Sequence, residues 1–345
     1  MILTFRIKHG TDFSKELALA RKVAEIAIVT RSRSTADVRH IGLKSAISNQ
    51  ILRKYSRKSI MKVKSVPLTV PGQSIKVNKE SRCIVIPCLG LSLNYEFRND
   101  FGKVNQIEID SEYACVSVSI AEPPQINVWG AIGVDRNTTK HCVVIACPRT
   151  GKVWKLGKSA EHIHKKYSRL RRRYQRLRKY KKLKQVSRRE RDIVKNIDHR
   201  ISKKIVEIAK ENSCMIRMEN LTGIRKNKGH SRSFRYSLNS WSFYQQQTFA
   251  DYKARLQGVQ VSYDEPALTS QLCSRCGLIG IRSGKEFKCP SCGHVDHADS
   301  NASFNIALCR GAGRLHADRD ACNGSTDTPR EAIARMTPTS EPHAP

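Results

Sequence analysis

Acidic residues are scarce in this 345-residue chain, where 30 Asp and Glu stand against 63 Lys and Arg, giving a formal net charge of +33 and a pI near 10. That imbalance argues against an ordinary metabolic enzyme and points to a polyanionic partner. No run of about 18 apolar residues occurs, so no membrane-spanning helix is expected. The opening Met1-Ile2-Leu3-Thr4-Phe5-Arg6-Ile7 alternates like a strand and lacks the cleavage pattern of a signal peptide, so a soluble, intracellular, cytoplasmic protein is expected. Glycine and proline number only 19 and 12 while 39% of residues are hydrophobic. Wholesale disorder is thereby excluded, and the length suits two or three domains. No internal repeat is found. Of the 12 cysteines, all but two Cys-x-x-Cys pairs are scattered, mostly singly among apolar neighbours, which is how a reducing compartment uses cysteine.

The first third reads as a strand, then two helical patterns between about 12 and 58. One carries Leu17, Ala20, Val23, Ala24 and Ala27 on a face, the other Val38, Ile41, Ile47, Ile51 and Leu52. Short alternating runs follow at Leu68–Val70, Ser74–Val77, Cys83–Ile86, Leu91–Phe97, Gln106–Ile109 and Ala114–Ile120. Their spacing predicts a small barrel or sandwich, closed by Pro123-Pro124. A second group, Ala131–Asp135, His141–Ala146 and Lys152–Leu156, predicts an antiparallel meander whose first strand ends on a carboxylate. Residues 161 to 211 read as a basic helical hairpin, with Tyr167, Leu170, Tyr174, Leu177, Tyr180 and Leu183 as the packing stripe of one arm and Ile193, Ile197, Ile201, Ile205 and Ile208 on the return. Cys214–Glu219 is a further strand ending on an acid. A helix through Trp241, Phe243, Tyr244, Phe249, Tyr252 and Leu256 follows, with its aromatics expected in the core, then a strand at Val259–Tyr263 and a last short helix at Asn301–Ala307.

Two motifs carry chemistry. Cys273-Ser-Arg-Cys276 and Cys289-Pro-Ser-Cys292 are separated by twelve residues, a spacing that lets four thiolates surround Zn²⁺ at about 2.3 Å. With all four positions filled by protein the zinc is expected to be structural. His294 and His297 lie near enough to substitute as ligands but read better as solvated loop residues. The other motif is a set of three acids: Asp135 and Glu219 at strand ends, and Asp299 opening the last helix. Converging carboxylates are hard oxygen ligands of the kind two Mg²⁺ ions need when they activate water and stabilise the leaving oxygen of a phosphodiester. Singly each acid is a weak signal and reads more readily as a turn residue or helix cap.

The arrangement of these segments resembles the TnpB proteins, transposon-encoded relatives of type V CRISPR effector nucleases. The resemblance rests on Ile132-Gly133-Val134-Asp135-Arg136, Met218-Glu219-Asn220-Leu221, Tyr252-Lys253-Ala254 with Gly258, Thr269-Ser270-Gln271-Leu272-Cys273, Cys289-Pro290-Ser291-Cys292-Gly293 and Asp299-Ser300-Asn301-Ala302-Ser303-Phe304-Asn305-Ile306, which fall in the family's order across about 125 to 308. The resemblance implies an α/β chain in three parts. Residues 1–125 would form a small WED-like β-barrel with its helical insertion at about 12–58, recognising RNA and a motif flanking the target. Residues 126–308 would form a RuvC-like, RNase H-type nuclease domain with the basic insertion 161–211 and a zinc ribbon at 270–297, while 309–345, rich in Gly, Ser, Thr and Pro, reads from its composition as a disordered tail. It implies catalytic and Mg²⁺-binding roles for Asp135, Glu219 and Asp299, with Asp296 as the rival third acid. It also implies RNA-guided cleavage of DNA, the guide coming from the transposon end, in a prokaryotic cytoplasm at the nucleoid. Where many relatives have Arg-Asp-x-Asn-Ala-Ala, this chain has Ala298-Asp299-Ser300-Asn301-Ala302-Ser303. A transposase acting without guide RNA and a non-catalytic zinc-ribbon binder remain the alternatives.

Nucleic-acid contacts are expected along the hairpin, where 165 to 184 holds twelve Lys or Arg that would repel one another unless phosphates neutralise them. The candidates are Lys165, Lys166, Arg169, Arg171, Arg172, Arg173, Arg176, Arg178 and Lys179, joined by Arg225, Lys226, Lys228, Arg232 and Arg235 in a later basic loop and by the Arg53–Lys58 cluster.

Overall fold

The computed structural model describes residues 1–59, 63–97, 99–137, 141–221, 243–264 and 268–309. The basic loop with Arg225, Lys226, Lys228 and Arg232, the residue Trp241 and the C-terminal tail after Cys309 lie outside them. The chain divides into one unit from Met1 to Glu122 and another from Pro123 onward.

In the first unit, β1 (Ile2–Lys8), β7 (Tyr113–Ser119), β6 (Lys103–Ile109) and β2 (Leu68–Pro71) form an antiparallel sheet in that order, while β3 (Lys76–Asn78), β4 (Cys83–Ile86) and β5 (Leu91–Asn94) form a second. Alternation decides the faces: in β7 Ala114, Val116 and Val118 are buried, in β6 Ile107 and Ile109. Between β1 and β2 lie α1 (Ser14–Thr30) and α2 (Ser45–Tyr55). Helix α1 buries Ala20, Val23, Ala24 and Ala27, and α2 buries Ile47, Ile51, Leu52 and Tyr55. The sequence pattern merged Val38 and Ile41 into the second helix. They form a separate 3₁₀ turn, Ala36–Ile41, because Gly42 at φ 82° takes the left-handed conformation that ends it.

The second unit is built on a five-stranded sheet of order β10–β9–β8–β11–β12, comprising β8 (Ala131–Arg136), β9 (Val143–Cys147), β10 (Lys152–Leu156), β11 (Met215–Glu219) and β12 (Val261–Asp264). Strands β8, β9 and β10 are the antiparallel meander that the sequence predicts, whereas β8, β11 and β12 run parallel. Parallel neighbours need crossovers. Helices α3 (Lys158–Arg176) and α4 (Tyr180–Glu211) supply one, and the connection containing α5 (Phe243–Arg255) supplies the next. The 32 residues of α4 span about 48 Å, and Ile197, Ile201, Ile205 and Ile208, three or four apart, bury one stripe against Ile132, Ile145, Ile216 and Met218 of the sheet cluster. Each such side chain contributes roughly 1.5–3 kcal/mol.

The basic arm does not run unbroken to Lys184. Helix α3 ends at Arg176, Arg178 turns at φ 51°, and Lys181, Lys182 and Lys184 already belong to α4. The packing stripe fails at this turn: Tyr167 is buried, but Leu177 is 50% and Tyr180 63% exposed. Tyr244, expected in the core, is likewise exposed. Among the described residues no helix is long and apolar enough to cross a membrane.

Candidate functional site

Parallel register brings the first two acids together. Met218 pairs with Val134, so Glu219 ends β11 beside Asp135 near the end of β8. Arg136, itself buried, donates from its guanidinium to the Glu219 carbonyl and ties the two strand ends to each other. The third acid arrives on α6 (Ala298–Ala307), which follows the ribbon strand β15 (Val295–His297) and packs on β8, β9 and β11. Its seating has three visible causes. Gly133 lets the helix touch β8, since an added Cβ would overlap Ser303 O and Ala307 N. Ser303 Oγ donates to Val144 O at 3.0 Å, and Arg217 donates to Ala307 O at 2.7 Å. Asp299, 3% exposed in the first turn of α6, is thereby fixed near the other two acids.

Mutual charge and burial set the electrostatics. The Asp135 carboxyl is pushed up to about 7, by burial first and then by the neighbouring charges of Glu219 and Asp299. Burial also raises Glu219, against the opposing effects of a hydrogen bond from Thr269 Oγ1 and the charge of Arg136. Asn137 Nδ2 donates to Asp135 Oδ2 at 2.8 Å. Lys285 Nζ donates to both oxygens of Asp299 at 2.8 and 2.7 Å and lies 3.5 Å from Asn137 Oδ1, while Arg282 stands 3.7 Å from Asp299. Three repelling carboxylates, Asp299 buried and Asp135 and Glu219 half-buried, are a donor set suited to a hard divalent cation, which would relieve the repulsion that drives Asp135 toward its protonated form. Asp296, the rival acid, sits on β15, paired across the strands with Phe287, and accepts from the His297 amide at 2.6 Å. The acidic charges that chiefly raise Asp135 are those of Glu219 and Asp299.

Beside the acids is the four-cysteine cluster. The sulfurs of Cys273, Cys276, Cys289 and Cys292 lie within 4.8 Å of one another, with Cys273 to Cys292 at 3.6 Å and Cys276 to Cys289 at 3.5 Å, and this set could hold a zinc ion. The strands β13 (Ile281–Ser283), β14 (Glu286–Lys288) and β15 form its small sheet around the fully buried Phe287. His294 and His297 are not in the sulfur cluster, nor are they solvated loop residues: His294 is largely covered beside Ser274, and the His297 side chain accepts from Asp299 N to cap α6. Asn301 of α6 accepts from Ser274 N at 2.8 Å and donates to Leu272 O at 2.7 Å. The ribbon and the acid-bearing helix are therefore one piece of structure.

The basic hairpin gives a mixed result. Lys166, Arg169, Arg172, Arg173, Arg176, Arg178 and Lys179 are exposed, and so is Lys165, although it pairs with Glu161 at 2.6 Å. Arg171 differs from its sequence-based assignment to phosphate. It turns inward to an ion pair with Glu190, a buried α4 residue that also meets His164 Nδ1 at 3.2 Å. A buried carboxylate needs a partner, and the nearest arginine on the facing helix supplies it. In the first unit Lys54 is similarly engaged, with Glu108 at 2.6 Å, whereas Arg53, Arg57 and Lys58 are exposed. Sequence reasoning missed Asn137, Thr269 and Lys285. Only Thr269 had a visible signal, its place at the head of the Thr-Ser-Gln-Leu-Cys run.

Comparison with known proteins bears on this unit. Residues 243–306 match the family model described as Cas12f1-like, TNB domain. A TnpB-like protein of Methanocaldococcus jannaschii is 36% identical over 155 residues, 42% of this chain and 55% of that protein. The CRISPR-associated endodeoxyribonuclease Cas12f1 of Sulfoacidibacillus thermotolerans is 42% identical over 115 residues, 32% of this chain and 26% of the relative. The chain thus spans about half or less of the length of these curated relatives. A cryo-EM structure of a Cas12f1–sgRNA–target DNA complex superposes with a TM-score of 0.61 at 16% identity, covering 86% of this chain and 82% of the other, a likeness of fold.

Proposed function

We propose that this chain is a member of the TnpB family, related to the type V CRISPR effectors, and an RNA-guided DNA endonuclease acting through Asp135, Glu219 and Asp299. The observation that carries this reading is the convergence of those acids from two parallel strands and a separate helix into one self-repelling cluster, with Asp299 buried and Asp135 and Glu219 half-buried. The mixed sheet, in which β10, β8, β11 and β12 run one way and β9 runs against them, supports reading the second unit as a RuvC-like, RNase H-type nuclease domain, and the two antiparallel sheets of the first support a WED-like domain with a helical insertion. Mg²⁺ ions, two in this reading, would be held by the three carboxylates and would supply an activated water and charge neutralisation at the scissile phosphate. Arg136 and Thr269 orient Glu219 from its backbone and side chain, Asn137 orients Asp135, and the cap and ribbon contacts hold Asp299. The four thiolates would hold structural zinc. RNA and target DNA are the proposed partners, as in the complex whose fold this chain shares. Base pairing would then supply specificity while exposed lysines and arginines contact backbone.

The test is to purify the protein with its bound RNA, sequence that RNA, and incubate the complex with Mg²⁺ and a DNA matching it. Cleavage of the matched DNA that Glu219→Gln and Asp299→Asn abolish without loss of binding is expected. Strand transfer without RNA would replace this reading with a transposase, and binding without cleavage would leave a zinc-ribbon binder.

A further inference from the structure

The ribbon contributes more to the acid cluster than a scaffold. Lys285 stands next to Gly284, whose φ of 59° closes the turn between β13 and β14, and register across that turn is set by the pairing of Ser283 with Glu286. Its backbone is anchored at the other end too, since Lys285 O accepts from Ala298 N at 2.9 Å. From this anchored turn the side chain reaches the acids. An ammonium has three donors, and all three find acceptors here: the two oxygens of Asp299 at 2.8 and 2.7 Å and Asn137 Oδ1 at 3.5 Å. Because Asn137 in turn donates to Asp135 Oδ2, a continuous bridge runs from Asp135 through Asn137 and Lys285 to Asp299. Two of the three metal-binding acids are thus linked by a cation that the protein carries itself.

We propose that Lys285 is a resident counter-ion that occupies the Asp299 carboxylate until a divalent cation displaces it, so that the ribbon hairpin gates metal loading. This rests on the reading of Asp135, Glu219 and Asp299 as metal ligands. Each carboxylate oxygen keeps a second lone pair, but a divalent cation on Asp299 would stand within a few ångströms of the ammonium that contacts both oxygens at 2.8 and 2.7 Å, and like-charge repulsion makes the two compete for the carboxylate. Apparent metal affinity is then the intrinsic affinity reduced by the fraction of molecules with Asp299 released. If the ammonium holds the carboxylate in about nine molecules of ten, the reduction is roughly tenfold. Arg282, farther off at 3.7 Å, adds attraction to Asp299 without lying on this bridge.

The experiment is a Mn²⁺ titration of the full-length, zinc-loaded protein without nucleic acid, with free Mn²⁺ read by electron paramagnetic resonance. Lys285→Met should bind Mn²⁺ about tenfold more tightly than wild type. Lys285→Gln, which also removes the charge and keeps a polar head, should do the same, and Lys285→Arg should remain within about threefold of wild type. Lys288→Met makes the same charge change at an exposed position on the ribbon and should leave the affinity unmoved. Unchanged affinity in both Lys285→Met and Lys285→Gln, or an equal shift in Lys288→Met, would overturn the gate. Asp135→Asn separates the two levels: binding that it weakens but that Lys285→Met leaves alone defeats the gate only, while binding that it does not affect defeats the metal assignment and the gate together.

Discussion

Replacing Asp135 with Asn should make the metal-free protein more stable while abolishing its proposed chemistry. The Asp135 carboxyl is raised from an ordinary 3.8 to about 7 by burial and by its acidic neighbours. Between about pH 4 and 7 the folded state therefore keeps a proton that the unfolded chain has released. Stability falls as pH rises through this window and levels off above 7, since it declines wherever the native state binds more protons. Three pKa units correspond to about 4 kcal/mol. The neutral amide of Asp135→Asn would carry no such penalty, and its carbonyl oxygen would still accept from Asn137 Nδ2, as Asp135 Oδ2 does at 2.8 Å. The variant should match wild type near pH 4 and exceed it by up to about 4 kcal/mol at pH 8, roughly 10 °C in melting temperature for a unit of this size. Thermal melts across pH 5–8 in Mg²⁺-free buffer, with zinc retained, read the difference between the two proteins and so cancel the other titrating groups. Adding Mg²⁺ should then raise wild type alone, by about 2.7 kcal/mol at a hundredfold excess over its dissociation constant, and narrow the gap. Equal melting temperatures at pH 8, or a difference independent of pH, would refute the account of this carboxyl.

Gly133→Ala should damage the site without touching an acid: its Cβ meets backbone of α6 rather than a flexible side chain, so a loss of roughly 1–3 kcal/mol is expected, and cleavage should fall with weaker Mn²⁺ binding. Cys276→Ser should lower the zinc content and melting temperature of the second unit, and Mn²⁺ binding should weaken with it because Asn301 joins the ribbon to α6; an equally heat-stable, zinc-free variant would refute the site. Replacing exposed Arg172, Arg173 and Arg176 with Ala should weaken binding of all sequences alike and flatten the slope of log affinity against log salt by roughly two to three units if all three meet phosphate. Arg171→Ala should act differently, costing about 3–5 kcal/mol through the Glu190 charge left unpaired, with the salt slope unchanged.

Periodicity and turn chemistry made most elements legible. Alternation marks β6 and β7, and the isoleucines three and four apart mark α4, because each pattern records a single buried face. Where two faces or a turn decide, local pattern was insufficient. The run through Leu177 and Tyr180 kept helical spacing, yet a left-handed residue at 178 ends the helix and leaves both exposed, and nothing in the apolar spacing records that turn. The acids were legible as strand ends and a helix start. Their convergence needs parallel pairing of strands about eighty residues apart, which periodicity cannot encode.

Charge counting has the same limit at the hairpin. Among twelve like charges, sequence gives each cation equal standing, but burial of one carboxylate at Glu190 removes Arg171 from the set facing solvent, and Glu161 engages Lys165. The same rule operates at the acid cluster with opposite sign, where burial of Asp299 draws Lys285 out of the ribbon's surface charge and onto a carboxylate. In a chain of net charge +33 the few buried acids thus select which cations become structural. The remaining exposed lysines and arginines, being unselected, are the ones whose replacement should register in the salt dependence of nucleic-acid binding.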